Sequence, residues 1–91
     1  MEERFLFLTK KHGGSLAAGK MSEHQFWLLA EISPIHSEKV INALRDFLVF
    51  GYSKREASER HDVSQGYLSN ALGRIQKVNH TVSRLVPFYI L

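Results

Sequence analysis

The sequence predicts an all-α fold, a small helical bundle containing a helix-turn-helix. Three observations predict it. Apolar residues recur at helical spacing in two long stretches, 40–48 and 68–85. Ser22 stands three residues before Gln25 and Ser53 three before Glu56, the capping-box spacing that opens a helix. The short polar turn His61-Asp62 joins two helical segments, and the first carries small residues, Ala57 and Ser58, where a second helix must cross closely.

The chain of 91 residues, 44% apolar and 23% charged, fits one domain with one modest core. Residues 1–20 read as an N-terminal arm or loop. Within them Phe5-Leu6-Phe7-Leu8 suits a short strand or a pinning arm, and Gly13-Gly14-Ser15 and Gly19 mark a loop. Residues 21–91 read as the helical domain. Its first helix, about 23–32, is capped by Ser22 and is expected to bury Phe26, Leu29 and Ile32. Ser33-Pro34 restarts the chain, since proline suits a helix first turn, and Ser37 offers a second cap. Val40, Ile41, Leu44, Phe47 and Leu48 then give the strongest periodicity, with Lys39, Asn42, Arg45 and Asp46 facing away. Gly51 is the expected glycine after the helix end.

Ser53 opens the first helix of the pair at about 54–61. Asp62 tolerates the left-handed backbone that such turns use. Val63 is expected to be buried, and Ser64 caps a second helix from Gln65. Its stripe is Leu68, Leu72, Ile75, Val82 and Leu85, with Ala71 beside it. Asn79-His80-Thr81 either breaks this helix or lies within one long helix; a break is preferred to a register-setting role for Asn79. Pro87 stops either version.

Charge is unevenly spread. Residues 1–20 carry two excess positive charges, 21–50 two negative, and 51–91 three positive, for a net +3. The helix pair is therefore the basic part, and phosphate neutralisation by Lys and Arg supplies most non-specific DNA affinity. On the second helix Ser64, Gln65, Gly66, Ser69, Asn70 and Gly73 occupy an outer face from which bases are reached in a major groove. Asn and Gln pair with adenine, and no Arg stands at the helix start to read guanine, so A/T-rich sites are expected. Arg74 and Lys77 would meet phosphates further along, and Lys54 and Arg55 the flanking backbone. Gly66 and Gly73 each weaken a helix by ~1 kcal/mol relative to Ala, a loss that close backbone approach to DNA would justify.

Met21-Ser22-Glu23, Ile32-Ser33-Pro34-Ile35-His36-Ser37, Asp46-Phe47-Leu48-Val49 with Gly51, Gly66-Tyr67, Leu72-Gly73-Arg74 and Pro87-Phe88-Tyr89 together span positions 21–89. In these segments the chain resembles the fimbrial (adhesin biosynthesis) transcription regulators of the PapB/FocB type. The resemblance implies a bacterial cytoplasmic regulator of an adhesin operon that binds A/T-rich double-stranded DNA as an assembly of copies, alongside other regulators. It also implies that Lys54, Arg55 and Ser58 matter for binding, and that minor-groove contacts compete with the major-groove assignment.

Ten aromatic residues exceed what a small bundle hides. Phe26, Trp27, Phe47, Phe50 and Tyr52 are expected to supply the core plus a self-association patch, with Phe88 and Tyr89 as second candidates. Other chemistry finds little support. Gly14 to Lys20 matches phosphate-loop spacing as far as its lysine, but Met21 stands where Ser or Thr would hold magnesium. The five dispersed histidines lack ligand spacing, there is no cysteine, and no nucleophile–base set appears, so neither a metal, a cofactor nor an enzyme is expected. The acidic start, Met-Glu-Glu-Arg, and the lack of a ~20-residue apolar run predict neither a signal peptide nor a membrane span. The competing reading is a helical protein-interaction module, an adaptor or antagonist of a regulator, without DNA affinity of its own.

Overall fold

Four helices and a terminal turn make up the computed structural model, which describes residues 16–90. They are α1 (Glu23–Ile32), α2 (Glu38–Leu48), α3 (Lys54–Arg60), α4 (Gln65–Leu85) and a 3₁₀ turn (Val86–Phe88), with no strand among the described residues. Each helix begins at a serine whose hydroxyl accepts a backbone N–H: Ser22 from Gln25, Ser37 from Val40, Ser53 from Glu56 and Ser64 from Tyr67. At Ser53 the box is reciprocal, because Glu56 also accepts from the Ser53 N–H.

Helices α2 and α4 each pack against both α1 and α3. The core between them holds Phe26 and Leu29 of α1, Val40, Ala43, Leu44, Phe47 and Leu48 of α2, Ala57 of α3, and Leu68, Ala71, Leu72 and Ile75 of α4, with Met21 and Ile35 from the connections. Ala57 has no accessible surface, as expected where α3 is crossed closely.

The end of α2 is where the chain before α1 is tied down. The last four carbonyls of a helix have no partner within it. Here all four find one: Arg45 from Val49, Asp46 from Tyr52, Phe47 from Gly19 and Leu48 from Met21. That pairing brings Gly19 against Gly51, both at positive φ (66° and 83°), and a Cβ on Gly19 would lie 3.1 Å from the Gly51 Cα. Leu16 packs against the core as well. The Phe5–Leu8 segment and the first two residues of the phosphate-loop-like stretch lie outside the described residues.

Several expectations are corrected. Ile32 is exposed, because α1 ends there and Ser33 turns inward, donating its hydroxyl to the Leu29 carbonyl at 2.6 Å. Asp46 does not face away: it is buried against α3 and the following turn. Val63 is only half-buried. The break at 79–81 does not occur, and α4 runs unbroken to Leu85. Thr81 and Ser83 donate their hydroxyls to the carbonyls of Lys77 and Asn79 on the same helix, so these polar side chains are satisfied without ending it. Leu85 at its far end is exposed. Phe26 is a core residue with no accessible surface, so it takes no part in a self-association patch. Tyr52 is half-buried, with the Arg60 guanidinium 4.4 Å from its ring centre, and packs against the core.

Candidate nucleic-acid interface

The helix pair is α3 and α4, joined by residues 61–64. Asp62 takes a left-handed φ of 55°, and the Val63 N–H returns to the Ser58 carbonyl at 2.9 Å, closing the turn. The pair is held to α2 by one buried acid. Asp46 Oδ2 accepts from Arg60 Nε at 2.8 Å and from His61 Nε2 at 2.7 Å. Burial pushes the Asp46 carboxyl up, but the hydrogen bonds and charges of Arg60 and His61 outweigh it and hold it below its ordinary value of 3.8. The same contact raises the Arg60 guanidinium further above its usual range. One cation counted toward the basic second half, Arg60, is thereby paired with a buried acid although its side chain stays half exposed.

On α4 the inner face is Leu68, Ala71, Leu72 and Ile75, and Gln65, Gly66, Ser69, Asn70, Gly73, Arg74 and Lys77 are all exposed, with Ser64 just before them. The Ser64 oxygen is occupied as the cap, leaving its O–H free to donate. Lys54 and Arg55 are exposed on the first turn of α3, and Arg55 Nε donates to Glu59 at 3.1 Å. Among the described residues Lys54, Arg74 and Lys77 make no ion pair. Ser58 is the exception. It is buried and donates its hydroxyl to the Arg55 carbonyl at 2.9 Å, so its side chain does not reach the surface and serves helix packing.

Glycine is not required by the fold at two positions of this face. A Cβ built on Gly66 or Gly73 meets nothing within 4 Å among the described residues, and neither has a positive φ. Beside the face lies a notch of about 280 Å³ that the sequence does not announce. Residues 34–37, the connection between α1 and α2, form one wall, and Tyr67, Asn70 and Arg74 of α4 the other. His36 and Tyr67, which line it, were part of the quoted resemblance but not of the expected contact set. Their meeting depends on how the connection packs on α4.

Away from this face, Trp27 and Phe50 are exposed and share Arg45, whose guanidinium lies 5.5 and 4.9 Å from their ring centres and pairs with Glu23. Phe88 and Tyr89 are 78% exposed at the far end of α4, and the 3₁₀ turn packs closely on α4. The four exposed aromatic candidates, Trp27, Phe50, Phe88 and Tyr89, thus fall into two separate patches.

The chain matches, over residues 1–89, the family described as adhesin biosynthesis transcription regulatory protein. It belongs to that family. The AFA-III adhesin operon regulatory protein of Escherichia coli is 63% identical over 89 residues, covering 98% of this chain and 88% of that one. The regulatory protein PapB of a major pilus subunit operon, also from Escherichia coli, is 43% identical over 83 residues, covering 91% and 80%. In structure the protein is similar to the crystal structure of Escherichia coli FocB, with a TM-score of 0.80, 41% identity, and 99% and 100% of the two chains covered. As an adhesin biosynthesis regulator the chain shares the all-helical fold of FocB. No helix among its described residues is long and apolar enough to cross a membrane.

Proposed function

We propose that this regulator acts by binding A/T-rich double-stranded promoter DNA of a bacterial fimbrial or adhesin operon, as a homo-oligomer, through the α3–α4 pair, in the cytoplasm and alongside other regulators at the same promoter. The single observation that carries DNA binding is the outer face of α4. It joins exposed amides and hydroxyls to two glycines that the fold does not need. Glycine in a helix lowers stability relative to Ala by up to ~1 kcal/mol, so its presence here answers to a partner approaching the backbone closely. Gln65 and Asn70 suit adenine, and the absence of Arg from the first turn of α4 leaves no bidentate guanine reader there. Arg74, Lys77, Lys54 and Arg55 supply phosphate contacts. Ser69 and the Ser64 O–H add short-range donors. Kinship with regulators named for adhesin operons supports the operon class. Self-association is assigned to the Trp27–Phe50 patch and the Phe88–Tyr89 end.

A salt titration tests the reading. An A/T-rich fimbrial-promoter fragment and a G/C-rich control are titrated with wild type and with Lys54→Ala/Arg55→Ala. Preference for the A/T fragment is expected, with the slope of log K against log salt flattened by ~0.9 per lost phosphate contact. No binding by folded protein at low salt would reject the proposal in favour of a protein-interaction module.

A further inference from the structure

We propose that the notch between residues 34–37 and α4 is a seat for one backbone phosphate of DNA, with Arg74 as the charge and His36 as a second donor. This deepens the DNA-binding reading and rests on it, but it extends the contact surface beyond the helix pair to the connection between α1 and α2.

The lining chemistry selects an anion. Among the described residues the notch is lined by one arginine, Arg74, by His36, Asn70, Ser37 and Tyr67, and by no acidic residue. A fork of N–H groups surrounded by neutral donors is complementary to the several acceptor oxygens of a phosphodiester. Arg74 is free to serve it. Arg45, Arg55 and Arg60 each hold a carboxylate, whereas Arg74 makes no ion pair among the described residues. The notch beside α2 that contains Arg45, Arg60 and His61 is different, because Asp46 sits inside it and holds Arg60 and His61, while Arg45 pairs with Glu23.

The place of the Arg74 notch selects a phosphate of a polymer over a small molecule. Asn70 and Arg74 belong both to the notch and to the exposed face of α4. A strand seated there therefore runs along the edge of the base-reading face, and phosphate contacts of this kind fix the register in which bases are read. His36 holds the seat from the far wall, so the two walls clamp one phosphate.

The test is a double-mutant cycle on DNA affinity with the full chain: wild type, Arg74→Ala, His36→Ala and the double variant, each checked for unchanged helical circular dichroism. Both residues are exposed, so folding is expected to survive, and Arg74→Lys serves as the charge-preserving variant. Arg74→Ala is expected to flatten the salt slope by ~0.9, and Arg74→Lys to keep it. His36→Ala is expected to weaken A/T and G/C fragments alike by ~10-fold, as loss of one charge-assisted hydrogen bond does. Because both residues hold one phosphate, the double variant should lose at least ~3-fold less than the product of the single losses. Wild type that binds while the single losses multiply without coupling, or while neither variant changes affinity, overturns the seat and leaves DNA binding standing. Wild type that binds neither fragment overturns both. A parallel titration with inorganic phosphate, followed by amide NMR, separates the sources. Saturable shifts at Ser37 and Arg74 at millimolar phosphate, with DNA affinity unchanged in the variants, would give the notch to a free anion instead.

Discussion

Glycine is used in this chain for two opposite reasons. At Gly19 the fold demands it: φ is 66° and a Cβ would press on the Gly51 backbone at 3.1 Å. Gly19→Ala is expected to destabilise by more than ~1 kcal/mol, read as a lower urea midpoint. At Gly73 the fold is indifferent, so Gly73→Ala is expected to stabilise by ~1 kcal/mol, and Gly66→Ala, in the first turn of α4, by less. The same two variants are expected to bind DNA several-fold more weakly. A Gly73→Ala protein that is more stable and binds as tightly as wild type removes the close-approach argument. Ser58 teaches the converse lesson: a residue the family resemblance attaches to binding acts here from inside, through α3 packing.

At the scale of elements, Asp46 is the joint between α2 and the α3–α4 turn. Asp46→Asn keeps the shape but removes the charge that Arg60 and His61 share, and is expected to cost about 2 kcal/mol in urea unfolding at neutral pH. The sign of the pH effect follows from the lowered carboxyl. Its folded value lies below 3.8, so its stabilisation is complete above that pH and is lost as pH falls through the folded value. Below pH ~4 the melting temperature of wild type should therefore fall more steeply than that of Asp46→Asn. Equal slopes would mean that the joint does not couple to folding. Helical periodicity could not reveal this joint, because it places Asp46 on the outside of α2 considered alone. Only α3, arriving from fourteen residues later, makes that side an inside.

For the whole molecule, the described body is 43 Å long and about 20 Å across, with a 21-residue α4 of ~31 Å as its longest element. Among the exposed apolar residues outside its core are Trp27 with Phe50 and Phe88 with Tyr89. Replacing Phe88 and Tyr89 together by Ser is expected to leave the melting temperature within the small range of surface substitutions. It is also expected to shift sedimentation toward monomer, as is Trp27→Ala. An unchanged oligomer in both proteins would move self-association elsewhere on the surface.

Helix starts, helix periods and the outer face of α4 were legible because they depend on residues three or four apart: a serine cap, its partner N–H and a stripe of Leu68, Leu72 and Ile75. The continuity of α4 through 79–81 was ambiguous because hydroxyls there bond to their own helix as readily as they end one. The sequence by itself thus determined the helices, the turn at Asp62, the basic character of the second half and the family. Tertiary structure alone decided how the cations are paired, since Arg60 holds Asp46 while Arg74 makes no ion pair among the described residues. It also decided that His36 stands across a notch from Arg74 and that Phe26 is core while Trp27 is surface. The reason is physical: burial and pairing are properties of neighbours in space, and those neighbours come from different helices.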